Sequence, residues 1–496
     1  MKGKFRPARL VLTSALMLSM LLSGCSATDQ VAEESVAQES SVEQDAQEAS
    51  EVQDAQEASG AQDGQDTQEA SENQGGSATE ETVDEDASIA DESSAGTSVN
   101  AASNAGAASD AGAASDAEDL GAVEAATGES YENVIFSASG EDQSAVFADG
   151  ATDILLDGVT IIKDGGDASS ADDSSFRGVN AAVRVIGGAE VTIKNALIEA
   201  SAENATAVFA YDGGTVYLYD STVISTGGGA GGIQVAGGGI LYAYDLYVES
   251  TSKAAIRSDR GGGTMVVDGG TYISHGSNGC PAIYSTADIT VKNATLLAEQ
   301  SRAVIIEGRN SVTLENCDLT GNYTSSKSGS VAANVLIYQS ASGDATEGTG
   351  EFTMTGGSLT STAGAMFYVT NTDAVITLDG VTLNGVDGEA LLIASAGRWG
   401  KDGRNGGDVV LNATNQVLSG DIIVDEISTL KLTLTASELT GAINPDGEAG
   451  EVSVKLDADS TWTLTGDSYI TSFDGDLSNV VTNGFTLYVN GKAVTE

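Results

Sequence analysis

The sequence predicts an all-β solenoid, a single chain wound into coils of about 24 residues with three short strands in each. One observation is a recurring eleven-residue phrase. It reads VTIKNALIEAS from Val191, VYLYDSTVIST from Val216, LYAYDLYVEST from Leu241, MVVDGGTYISH from Met265, ITVKNATLLAE from Ile289 and VTLENCDLTGN from Val312, in steps of about 23 to 25 residues. Phe352, Ile376 and Val409 continue the series once insertions are allowed. A second observation is alternation within the phrase: Val191 and Ile193 face in while Thr192 and Lys194 face out, as a half-buried strand demands. A β-propeller needs blades of about 40 residues, so the period is too short for one.

From the N-terminus, Lys2, Lys4, Arg6 and Arg9 precede the apolar run LVLTSALMLSMLL and then LSGC at Leu22 to Cys25. The run is too short for a comfortable membrane span. Its ending resembles the lipobox of bacterial lipoproteins, which implies that residues 1–25 are a signal peptide with Cys25 as the acylated first residue of the mature chain. Membrane lipid is then one partner, and the location is the bacterial cell surface, anchored to the outer face of the plasma membrane.

Residues 26–130 hold no Lys, Arg, aromatic residue or Pro, but about 27 Asp or Glu, in copies such as QDAQEAS. Such a chain cannot bury enough apolar surface to offset its ordering entropy, so it reads as a disordered acidic tether. The formal charge of −52 leaves about −29 for the remainder, which excludes nucleic acid as a partner. Cys280 and Cys317 are the only cysteines after Cys25, too few for a disulfide framework.

The coils follow. Asn195, Asp220, Asp245, Gly269, Asn293, Asn316, Gly356 and Gly380 share one column after the first strand of the phrase, and these are the residue types that tolerate positive φ. A corner there leads into a further strand whose inward column is Ile198, Val223, Val248, Tyr272, Leu296, Leu319, Leu359 and Leu383. Another strand precedes each phrase, as AAVRV, TAVFA, AAIRS, PAIYS, AMFYV and ALLIA. The arrangement resembles the right-handed, single-stranded parallel β-helix of the pectate-lyase-like superfamily and of bacterial surface adhesins. That places the β-helix at residues 131–420 and terminal coils with a C-terminal cap at 421–496.

Inward columns are core, so ligand-binding groups are sought outside them. Insertions break the period at about Gly165 to Arg177, Asn322 to Ala332, Ala341 to Gly350 and Arg398 to Gly406, each beside the AAIRS-type strand. In the β-helix proteins that this chain resembles, loops there wall the binding cleft. Every arginine after the signal (Arg177, Arg184, Arg257, Arg260, Arg302, Arg309, Arg398, Arg404) falls on the same strand or its turns. Aligning SKAAIRSDR with SRAVIIEGR puts Arg260 and Arg309 in one outward column, and Arg184, Phe209, Gln234, Arg257 and Tyr284 form another with Tyr211 beside it. Arginine forks with aromatics suit acidic sugars. The plainer alternative is that they pair with Asp212, Asp259, Glu307 and Asp402 on an acidic surface.

The ligand-binding candidates are therefore Arg184, Arg257, Arg260, Arg302, Arg309, Arg404, Tyr211, Tyr284 and Trp399, the last in the loop GRWGKDGRNGGD where no core needs it. Tyr217, Tyr219, Tyr242 and Tyr244 form a further patch, read as a cross-strand ladder ahead of a sugar platform. His275 is the only histidine. The Asp cluster with His that β-helix galacturonan hydrolases use is missing, and no catalytic residue, metal site or cofactor is assigned. The expected function is a surface-displayed, non-catalytic binder of extracellular polysaccharide or of a host or cell-wall glycan, resembling an adhesin. A polysaccharide lyase using Arg257, Asp259 and Asp212 is the first alternative, and a structural spacer the second.

Overall fold

The computed structural model describes residues 117–324 and 331–495, and the chain they form is a right-handed parallel β-helix. Each coil contributes one strand to each of three long parallel sheets, here named by the strand's place in the coil. The first sheet has 12 strands, the second 14 and the third 10, and a four-stranded sheet from Val417 carries the third side onward. In the coil that opens the repeat, the strands are Val183–Ile186, Glu190–Lys194 and Leu197–Ala200.

Alternation decides what is buried. Val191, Val216, Leu241, Met265, Ile289, Val312, Phe352 and Ile376 pair in sequence along the second sheet and are all buried. The series then continues through Leu411, because Val409 pairs with Ala374. The slip by two preserves the inward parity, which is why the period alone does not detect it. Ile198, Val223, Val248, Tyr272, Leu296, Leu319 and Leu359 stack in the same way along the third sheet.

The corner column has the backbone its residue types predict. Asn195, Asp220, Asp245, Asn293 and Asn316 have φ of +50°, +46°, +52°, +52° and +52°, and Gly269, Gly356 and Gly380 occupy the same left-handed region. Three Asp-Gly corners are each followed, one coil on, by an asparagine that donates back to that aspartate: Asn195 to Asp157 at 2.7 Å, Asn293 to Asp268 at 2.6 Å and Asn415 to Asp379 at 3.1 Å.

The stacked strands begin earlier than the composition indicates. Val123–Glu124 pairs with Val146 and Phe147, and Asp119 bridges to Ile135, ahead of Tyr131. Composition misses them because this opening segment buries little more than Ala125. At the other end, Leu487–Val489 and Lys492–Ala493 form an antiparallel closing pair.

Candidate functional site

The insertions emerge beside the first sheet, as the period requires, but those at 164–182 and 395–406 fold back over its outer face, while residues 325–330 lie outside the described ones. Residues 164–182 contain the one α-helix among the described residues, α1 (Ala171–Arg177). Ser170 caps it by accepting from the Asp173 amide, and Gly178 ends it at φ +68°. A Cβ on Gly178 would come within 2.5 Å of the Phe209 ring, so the missing side chain is what lets the helix end lie on that ring. Gln234 donates to the Ser175 carbonyl at 2.8 Å, and Lys253 to the Ser175 hydroxyl at 2.5 Å. Phe209 and Gln234, outward on their strands, are consequently 0% exposed.

Farther along, the outward column continues from Tyr284 through Ile305, Leu336 and Tyr368. These side chains join Tyr338 and Trp399 in a second buried apolar cluster outside the coil. Trp399 comes from the loop at 395–406, packs on Tyr338 at 4.5 Å between ring centroids and is only 6% exposed. Asn405 holds that loop by donating to the carbonyls of Gly397 and Trp399 at 2.8 and 2.9 Å.

Within this cover lies a hydrogen-bonded carboxylate. Glu307, 1% exposed, accepts from the hydroxyls of Tyr284 at 2.6 Å and Tyr338 at 2.9 Å, and from Ser340. The two phenols are 3.2 Å apart, and burial pushes both well above the ordinary phenol range. The Arg257 guanidinium lies 4.6 Å from the Tyr284 ring centre and donates twice to Asp259, at 3.1 and 2.9 Å. Burial works against its charge, but Asp259 and Tyr284 outweigh that and hold the group above its ordinary value. A buried carboxylate needs such donors, since each unmade bond costs about 1–3 kcal/mol.

The predicted arginine face is thereby divided. Arg257, Arg302, Tyr284 and Trp399 are buried, contrary to the outward exposure expected of them. Arg302 donates to the carbonyls of Ala333 and Val331 at 3.1 and 2.8 Å and covers the Tyr323 ring. Arg184 and Tyr211 are half-buried, with Arg184 donating to the Arg177 carbonyl at 2.9 Å. Arg260 pairs with Asp344, from an insertion three coils on, and lies 4.0 Å from the Phe176 ring centre. Arg309 and Arg404 are exposed. Arg260 and Arg309 do not share a column, because Ile256 stacks through Ile283 onto Val304 rather than Ile305. The uninterrupted run Val304, Ile305, Ile306 hides the alternation that would have set the register.

Sequence reasoning missed Tyr338 and Ser340, and took Glu307 for a surface partner of arginine. A signal was present: the outward column turns apolar at Ile305, Leu336 and Tyr368, which a solvent-facing strand has no reason to do. The tyrosine patch is a ladder, with Tyr217 on Tyr242 at 5.1 Å and Tyr219 on Tyr244 at 4.8 Å, both nearly parallel. Rings that stand stacked on each other offer edges rather than open faces, which suits a sugar poorly. Among the described residues, no group of three or more His, Cys, Asp or Glu side chains is placed to hold a metal ion. Cys280 and Cys317 are free thiols, and Cys25 lies outside the described residues.

Searches against family models, curated proteins and solved structures find no match to this chain.

Proposed function

We propose that the protein is a lipid-anchored, non-catalytic β-helix of the bacterial surface that binds glycan through the insertions over the first sheet. The observation that carries this reading is where the exposed arginines lie on an acidic rod. Arg177, Arg260, Arg309, Arg398 and Arg404 are exposed, and all five lie on those insertions or the turns beside them. Arg398 is held 4.7 Å from the Trp399 ring centre, and Arg260 by Asp344, so these guanidinia are preorganised rather than free-swinging. Anionic polysaccharide would meet them at intervals along the rod, giving weak, multivalent and salt-sensitive binding.

A non-catalytic role fits the burial of Arg257, the base that the lyase alternative would use. Arg257, Tyr284, Tyr338 and Glu307 all sit beneath the cover, where a polymer does not reach them. Retention of the full chain on a polyuronate and on a neutral glucan, with absorbance followed for new unsaturated ends, tests the proposal. Retention without cleavage, weakened when Arg309 and Arg404 are both replaced by Ser, is the expected result. Cleavage would make the protein a polysaccharide lyase, and absence of both would leave a surface spacer. The anchor is tested separately: Cys25→Ala should abolish detergent-phase partitioning, and unchanged partitioning would refute acylation at that residue.

A further inference from the structure

Among the described residues, no insertion lies across the outer face of the third sheet, and one stretch of that face is apolar and acidic together. Register pairs Ile162, Glu199, Ile224, Glu249, Ile273 and Leu297 into a single outward column. Leu197 and Tyr247 lie in the column beside it. Tyr247 is 40% exposed, and among the described residues it is the only exposed large apolar side chain between Leu120 and Val417.

The fold does not require these residues. In later coils the same column reads Thr320, Thr360 and Asn384, so a polar side chain serves the sheet equally well. No lysine or arginine occupies an outward position on this sheet from Thr160 to Asn384, whereas Glu199, Glu249 and Glu299 do. The His275 ring lies between two of those carboxylates, 2.8 Å from Glu299 and 3.8 Å from Glu249.

We infer that this face is a docking surface for a cationic amphipathic helix laid along the rod. The occupant follows from spacing. Coils stack at about 4.8 Å, so Glu199 and Glu249, two coils apart, are about 10 Å apart with Ile224 midway. A helix advances about 10.5 Å in seven residues, so one Lys or Arg per heptad meets successive glutamates. An aliphatic residue half a heptad on meets Ile224 or Ile273. An extended segment covers the same span in about three residues, which turns every second lysine away from the surface. This inference is independent of the glycan reading, which concerns another side of the coil.

The test uses the full chain and a labelled three-heptad peptide with Lys once per heptad and Leu half a heptad on, followed by fluorescence anisotropy. Ile224→Thr with Ile273→Thr, and separately Glu199→Gln with Glu249→Gln, should each weaken binding at least about tenfold. A scrambled peptide of the same composition should bind the parent as weakly, and replacing Arg309 and Arg404 should change nothing. If both double variants bind as the parent does, or the scrambled peptide binds equally well, acidic residues elsewhere take up the peptide and the proposal fails. Circular dichroism checks that the Ile→Thr pair folds; if it does not, the isosteric Glu→Gln pair decides.

Discussion

Ala436 should be the weakest corner of the solenoid, and replacing it should stabilise the terminal coils. It holds the place that Asn415 holds one coil earlier, at φ +46°, where every other corner from Asn133 to Asn415 is Asn, Asp or Gly. Its side chain is exposed, so a substitution there meets no packing. Its amide donates to the Asp457 carboxylate at 3.1 and 3.2 Å, a bond that any non-proline residue keeps. Left-handed backbone costs an alanine about 1–2 kcal/mol. Glycine removes that cost but loses about 0.5–1 kcal/mol in chain entropy, so Ala436→Gly should gain roughly half of it. Ala436→Asn should gain about 1 kcal/mol, and Asn415→Ala should lose about 2, since its bond to Asp379 goes as well.

Trp462 reports the effect locally. It is fully buried, donates to the Gly441 carbonyl at 2.9 Å, and stands on the strand that pairs with Glu438–Thr440. Urea unfolding followed by its fluorescence, in a Trp399→Phe background, should shift to higher midpoints for Ala436→Asn and Ala436→Gly and to a lower one for Asn415→Ala. Lower midpoints for both Ala436 variants would refute the argument that the corner column is selected for backbone conformation.

Three other outcomes follow from the cover and the third sheet. Glu307→Leu should cost about 2 kcal/mol rather than more, because the phenols of Tyr284 and Tyr338 can still bond each other and Ser340 keeps Ser342 at 2.7 Å; thermal unfolding with near-ultraviolet dichroism measures it. Gly178→Ala should detach α1 by combining left-handed strain with the clash against Phe209, seen as rapid proteolysis near Arg177 while the coils stay resistant. Tyr247, whose hydrogen bond to Glu249 pushes it up to about 12, should ionise well above pH 10, and Glu249→Gln should bring it back toward 10 in a spectrophotometric titration. Because the folded value is raised, the stability this bond contributes is complete below pH 10 and is lost as pH rises through about 12.

What the sequence made legible is the part that repeats. Alternation, period and corner chemistry recur in coil after coil, so one misread residue is outvoted by its equivalents, and the left-handed corners and the inward columns emerge with correct numbers until the slip by two at Val409. The insertions occur once each. Nothing in ADDSSFR announces that it will lie across Phe209, or in GRWGKDGRNGGD that its tryptophan will turn down onto Tyr338. Exposure was therefore inferred from strand parity alone, which holds for Thr192 and fails for Arg257. Parity tells which side of the sheet a side chain leaves from; burial depends on what else the chain lays over that side.

The same reasoning connects the two apolar outward columns. An aliphatic side chain on the outer face of a coil leaves apolar surface in water, a cost of about 25 cal/mol per Å² that a threonine largely avoids. On the first sheet, Ile305, Leu336 and Tyr368 escape that cost because the chain supplies its own cover, and the column is apolar where the insertions lie over it. On the third sheet, Ile224, Ile273 and Leu297 have the same character with no insertion among the described residues across them, and they give way to Thr320, Thr360 and Asn384 in the coils that follow. If cover is the reason for apolar outward residues in the first case, the second case calls for cover from another molecule. The interleaved Glu199 and Glu249 then state the sign of its charge.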